Sequence, residues 1–147
     1  MNSVDNQIWY YAKVNDIFKG KDVDILEINK HNYFKYESLI QKCIDLFNSE
    51  HKWDEMWDII DAELRLEKGE IMYIFIPNNT PLGYVWFDKN YLYNAFMHSS
   101  REEGSTVNFL GACCHKNKEK GIRLFTDDWN IRAQKVWKKL GFKQIND

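Results

Sequence analysis

Apolar residues recur along the chain at two spacings, about every three to four positions or about every second position, and their alternation divides it into elements. Residues 1–22 have the weakest pattern, yet Ile8-Trp-Tyr-Tyr-Ala-Lys-Val14 is rich enough in aromatic and β-branched residues to predict a strand. A first regular strand is expected over 24–29. Two amphipathic helices should follow, one burying Tyr33, Tyr36, Ile40, Cys43, Ile44 and Phe47, the other Trp53, Met56, Trp57, Ile60 and Leu64. Gly69 ends the helical spacing. Residues 70–76 and 82–87 are then apolar on both faces and are joined by the turn-rich Pro77-Asn-Asn-Thr-Pro81, which predicts a hairpin of central strands. A strand over 91–97 leads into a polar loop at Arg101. Beyond it Val107, Leu110, Gly111 and Cys114 mark the buried stripe of a helix ending at Gly121. A strand over 122–126 follows, and the last helix sets Ala133, Val136, Trp137 and Leu140 on one side, stops at Gly141 and leaves a short tail. The class is α+β.

With 147 residues, 44% hydrophobic and 16% aromatic, the chain suits one globular domain, 1–147, with 1–22 as an N-terminal extension that supplies an extra strand. The net charge is −2, and Lys and Arg are scattered among Asp and Glu. No basic face offers itself to phosphates, so no nucleic-acid partner is expected. The start lacks a basic end followed by an apolar run, and no apolar stretch approaches the roughly 20 residues needed to span a bilayer. A cytoplasmic protein without membrane attachment is expected, and Cys43, Cys113 and Cys114 read as reduced packing residues. Asn78-Asn79-Thr80, a glycosylation match, then only marks a turn.

Candidate chemistry concentrates in Arg101-Glu-Glu-Gly104-Ser-Thr106. The first N–H groups of a helix have no intrahelical partner, so a glycine-containing loop there makes an anion cradle, to which Arg101 adds a cation. A second reading stays open, because Ser99-x-x-Glu102 and Ser100-x-x-Glu103 both fit a capping box in which the protein's own carboxylates fill that cradle. His31, His51, His98 and His115 are dispersed and share no metal-ligand spacing with the cysteines. No Ser/His/Asp or P-loop signature is present, and no metal is expected.

The loop, its helix, the strand Gly121-Ile-Arg-Leu-Phe-Thr and the helix Asn130-x-x-Ala133-x-x-x-Trp137-x-x-x-Gly141-Phe142 together resemble the cofactor-binding half of the GNAT N-acetyltransferase superfamily. There an Arg/Gln-x-x-Gly-x-Gly/Ala loop opens a helix, and an Asn-x-x-Ala-x-x-x-Tyr-x-x-x-Gly-Phe helix closes the site. The resemblance implies a GNAT-like central mixed, mostly antiparallel sheet flanked by helices, with a truncated C-terminus. Most members have one further strand after the last one here; either the 8–14 strand or a neighbouring subunit of a homodimer should fill that place.

It also implies an acyl-CoA-dependent N-acyltransferase that moves acetyl, or another acyl group, from coenzyme A to a small-molecule or peptide amine by direct attack. Arg101, Gly104, Ser105 and Thr106 would hold the pyrophosphate, with Glu102 and Glu103 beside them. Phe96, Met97 and His98 would offer backbone groups to the cofactor arm, and Asn130, with Ala133 and Trp137 on its helix, would fix the far end. Trp137 stands where many members carry a tyrosine whose hydroxyl protonates the leaving thiolate, which indole cannot do. The candidate base is His98, ahead of Glu70 and Asp88. The acidic run Asp54, Glu55, Asp58, Asp61 and Glu63 around Trp53 and Trp57 suits a cationic acceptor. The rival expectation is a catalytically degenerate binding or assembly protein on the same scaffold. Base modification on a nucleic acid, a third reading, is disfavoured by the missing basic face.

Overall fold

Seven strands form a single sheet in a computed structural model of the chain, which describes residues 6–50 and 57–145. The strands are β1 (Gln7–Lys13), β2 (Ile25–Ile28), β3 (Ile71–Phe75), β4 (Gly83–Asp88), β5 (Tyr91–Met97), β6 (Gly121–Asp127) and β7 (Lys143–Gln144). The helices are α1 (Glu37–Glu50), α2 (Ile59–Glu67), α3 (Ser105–Lys116) and α4 (Ile131–Leu140). Strand order is β2-β3-β4-β5-β6-β1-β7, antiparallel at every junction except the parallel pair β5/β6.

The central strands are apolar on both sides because both faces are covered. In β3 and β4, Met72, Ile74, Tyr84 and Trp86 point one way and pack with Ile40, Ile44, Ala62 and Leu66 of α1 and α2. Tyr73, Phe75, Val85 and Phe87 point the other way, into a core with Phe109, Leu110 and Cys113 of α3 and Leu140 of α4. Period-two alternation thus feeds two cores, one per face.

The expected order of elements is found, with two instructive departures. Asp58 caps α2 by accepting a hydrogen bond from the Asp61 N–H at 2.9 Å, so the helix begins at Ile59 and Trp57 lies before it. That start sets the phase: Ala62 and Leu66 are buried, whereas Ile60 and Leu64 are 65% and 56% exposed. The expected helical positions 53–56 lie outside the described residues. α3 ends at Lys116, short of Gly121, which already belongs to β6.

The N-terminal segment is integral to the sheet. All seven residues of β1 pair antiparallel with β6, and Tyr10 and Tyr11 pair with Gln144 and Lys143 on the other side. Of the two expected occupants of the place between β6 and the last strand, the chain's own early strand fills it. Tyr10, Ala12 and Ile17 are buried in the α3/α4 core, and the Phe18 N–H donates to the Leu140 carbonyl at 2.8 Å. Gly141 ends α4 in the left-handed region (φ 106°), and a Cβ there would come 2.6 Å from the Asp16 carbonyl oxygen.

Candidate functional site

β5 and β6 share one register pair, Tyr91 with Arg123, and then part. Two causes are visible. Between Trp86 and Phe87 the β4/β5 register shifts, leaving Tyr93 as an extra residue that bends β5 away. On its other edge β6 stays with β1 along its whole length, so beyond Arg123 it keeps the course of β1, pairing Phe125 with Trp9 and Asp127 with Gln7, while β5 bends away. Ala95, Phe96 and Met97 pair with β4 but, among the described residues, not with β6, and an opening lies between β5 and α4.

That opening holds a cleft of about 330 Å³ lined by Ala95, Phe96 and Met97 of β5, Leu110 of α3, and Asn130, Ala133, Val136 and Trp137 of α4. It runs outward into a second cleft of about 560 Å³, lined by Glu102, Glu103, Gly104 and Val107, and by Lys135 and Lys139 of α4. Arg101, Thr106, Arg132 and Val136 line both.

The outer end is shaped by the start of α3. Gly104 takes φ 86° as the residue before the helix, a conformation that suits glycine, and the space where its Cβ would stand is empty to 4 Å. Neither capping box forms. Ser99 turns its hydroxyl and N–H to Glu50, and Ser100 bonds to His98. The Ser105 N–H reaches the Glu102 carbonyl at 3.2 Å. Among the described residues no side chain accepts from the Thr106 or Val107 N–H groups, so the helix start stays open. Arg101 is held in place: its Nε donates to Thr106 Oγ1 at 2.8 Å and its Nη1 to the His98 carbonyl at 3.1 Å.

Asn130 caps α4, its side-chain oxygen accepting from the Ala133 N–H at 3.1 Å, and it lines the inner cleft as well. Trp137 is 7% exposed, and its buried Nε1 has no hydrogen-bond partner among the described residues. The cleft thus gathers ten of the twelve sequence-predicted residues, Phe96, Met97, Arg101, Glu102, Glu103, Gly104, Thr106, Asn130, Ala133 and Trp137. Ser105 and His98 do not line it.

His98 instead uses both ring nitrogens within its own neighbourhood, with Nε2 3.2 Å from Glu50 Oε1 and Nδ1 2.8 Å from Ser100 Oγ. Glu70 accepts a hydrogen bond from the Tyr93 hydroxyl, which also accepts one from Arg65. Burial and then the Glu70 bond raise the Tyr93 pKa, so this hydroxyl stays protonated. Asp88 is exposed at the end of β4. His115 bonds to the Ile17 carbonyl at 2.7 Å and serves the N-terminal segment. Among the described residues no cluster of His, Cys, Asp or Glu could hold a metal ion.

Two features of the site were missed in the sequence. Arg132, Lys135 and Lys139 sit at i, i+3 and i+7 and form a basic stripe along the cleft, a helical spacing that was readable. Glu50, the last residue of α1, meets Ser99 across 49 positions of chain, and no local signal announces that.

No family model and no curated protein matches the chain. Solved structures do. A conserved protein of unknown function from Staphylococcus epidermidis aligns with a TM-score of 0.62 at 11% identity, over 95% of this chain and 57% of that one. A GCN5-related N-acetyltransferase from Kribbella flavida gives 0.57 at 12% identity, over 96% of this chain and 35% of that one. An aminoglycoside acetyltransferase from an uncultured soil metagenomic sample, solved with sisomicin, gives 0.55 at 12% identity, over 80% and 86% of the two chains. The chain spans about half the length of the first two structures it matches. The fold is GNAT-like, and at these identities the likeness concerns the fold alone. Among the described residues no helix is long and apolar enough to cross a membrane.

Proposed function

We propose that the protein is an acyl-CoA-dependent N-acyltransferase that transfers acetyl, or a similar acyl group, to a small-molecule or peptide amine by direct attack. The observation that carries this reading is the cleft between β5 and α4, with a vacant helix start and four cations at its mouth. A diphosphate would take the Thr106 and Val107 N–H groups and the charges of Arg101, Arg132 and Lys135. The stretch of β5 at Phe96 and Met97 that lines the inner cleft would lie along the pantetheine arm, and Trp137 would close the inner end. Glu102 and Glu103 oppose the ligand, but each exposed carboxylate costs about 1 kcal/mol or less in water, which several amides and four cations outweigh. The sisomicin-bound neighbour fits an amine acceptor.

A degenerate binding protein is the second reading, favoured by Trp137 in place of a titratable hydroxyl. A coenzyme A thiol with a pKa near that of free cysteine, about 8.5, leaves without an acid partner, so the indole slows transfer rather than forbidding it.

Calorimetry with acetyl-CoA tests the proposal. Binding in the micromolar range is expected, weakened at least about ten-fold, roughly 1.4 kcal/mol, by Gly104→Val. Gly104→Ala, which brings the same backbone strain with less bulk, should weaken it less. Absence of binding at millimolar acetyl-CoA would retire the enzyme reading.

A further inference from the structure

A separate cavity of about 380 Å³ opens at the other end of α3 from Gly104. The 12 residues of that helix put it roughly 18 Å from the helix start, so its chemistry stands whether or not the cleft takes acyl-CoA. Ile71 and Tyr73 of β3 and Phe87 of β4 form its floor. Its walls are the turn after β2, the β4/β5 turn and the chain that leaves α3.

Asparagine side chains fix these walls. Asn117, the residue that ends α3, donates from Nδ2 to the Lys89 carbonyl and accepts at Oδ1 from the Glu119 N–H, both at 2.8 Å. Across the cavity Asn32 Oδ1 accepts from the Asn29 N–H at 2.8 Å, and Asn29 Oδ1 accepts from the His31 N–H at 2.9 Å. A rim set in advance in this way lowers the cost of binding.

Lys30, Lys89, Lys116 and Lys118 stand on the rim, all exposed. Among the described residues none of the four has a carboxylate within ion-pair distance. Glu27 and Glu119 also line the cavity, and Glu27 accepts from the Asn29 side-chain amide at 2.9 Å. Lys116 lies in the last turn of α3, where the helix dipole favours a cation. The others have no such reason: Lys89 takes φ 55°, a position in a turn that favours Asn or Gly.

Tyr73 gives the floor a hydrogen-bond donor. It is 1% exposed, and among the described residues its hydroxyl has no hydrogen-bond partner. Burial first, and Glu27 after it, raise its pKa above the ordinary 10.0, so the hydroxyl keeps its proton. A donor so deeply placed costs free energy while it lacks an acceptor.

We infer that this cavity binds a phosphorylated small molecule, its phosphate oxygens accepting from the Tyr73 hydroxyl and lying among Lys30, Lys89, Lys116 and Lys118. Lysines are compact point charges that suit an anion with several oxygens, whereas arginine forks suit a planar carboxylate, and among the described residues no arginine lines this cavity. Ile71 and Phe87 meet the apolar part of the ligand.

Amide NMR of the isotope-labelled full chain tests this, with inorganic phosphate, phenyl phosphate and citrate titrated at constant ionic strength. Saturable shifts are expected at residues 29–31, 89 and 116–119, with phenyl phosphate the tightest of the three probes. Tyr73→Phe removes one oxygen and should weaken phenyl phosphate binding roughly ten-fold. The surface pair Lys116→Ala/Lys118→Ala, which touches no packing, should weaken it about ten-fold as well, and more in low salt. Shifts confined to residues 102–107 would put the anion in the cleft alone and overturn the second site. Non-saturating shifts, unchanged affinity in the lysine pair or in Tyr73→Phe, or citrate binding as tightly as phenyl phosphate would overturn it equally.

Discussion

Single side chains in this molecule change character with burial more than with partners. Cys43, Cys113 and Cys114 are all buried and free of disulfides. Burial lifts the Cys43 and Cys114 thiols from an ordinary 9.0 to about 12 and lifts Cys113 well above 9.0. All three are protonated and unreactive in the native state. The linkage has a definite sign. Unfolded chains release these protons near pH 9 while the folded state holds them, so the contribution is complete below pH 9 and is lost as pH rises toward about 12. Denaturant midpoints should therefore be flat from pH 7 to 8.5 and fall steeply above 9, and a thiol reagent at pH 8 should label no cysteine until denaturant is added. Rapid labelling of native protein would contradict the burial. Trp137 illustrates the same dependence, since its indole keeps the apolar stripe of α4 intact while leaving an unpaired donor beside the cleft.

At the scale of elements, α4 is both a packing helix and a charged wall. Its apolar side holds Trp137 and Leu140 in the core, while Arg132, Lys135 and Lys139 face the cleft. Lys139 lies in the last turn, where the helix dipole favours a cation in any case. Arg132 is the second residue, where the positive end of the dipole opposes it, so helix stability does not account for it, whereas the anionic ligand proposed above would. Arg132→Ala and Lys135→Ala should each weaken coenzyme A binding by roughly 1 kcal/mol, about five-fold, with less loss in high salt. Thermal stability should be unchanged or slightly raised for Arg132→Ala. Equal affinity in the double variant would remove the stripe from the site.

Elements with a local signature were legible in the sequence: β5 by its apolar run, α4 by its Asn130 cap and Gly141 stop, the Arg101 loop by its glycine. The phase of α2 was not, because Asp58 competes as a cap with the Trp57 periodicity and wins. Contacts between distant segments, such as Glu50 with Ser99, carry no periodic trace at all.

The whole molecule depends on a strand that enters the sheet from the wrong end of the chain. In sequence, β1 comes before everything else; in space it lies between β6 and β7. Its seven pairs occupy the edge of β6 that faces away from β5, so β6 is held from that side where it parts from β5 and the cleft opens. If β1 were loosely attached, β6 would have a free edge on the side away from the cleft and would lose the strand that fixes its course past β5. Tyr10 is 1% exposed within the α3/α4 core, so β1 should unfold only with the rest. Amides of residues 8–13 should exchange as slowly as those of β6, through global opening. Tyr10→Ala should cost about 3–5 kcal/mol, measured by urea unfolding, and reduce acetyl-CoA binding through the lost strand rather than through any ligand contact. Exchange of the β1 amides orders of magnitude faster than those of β6 would mean that the cleft is held open by something other than this strand.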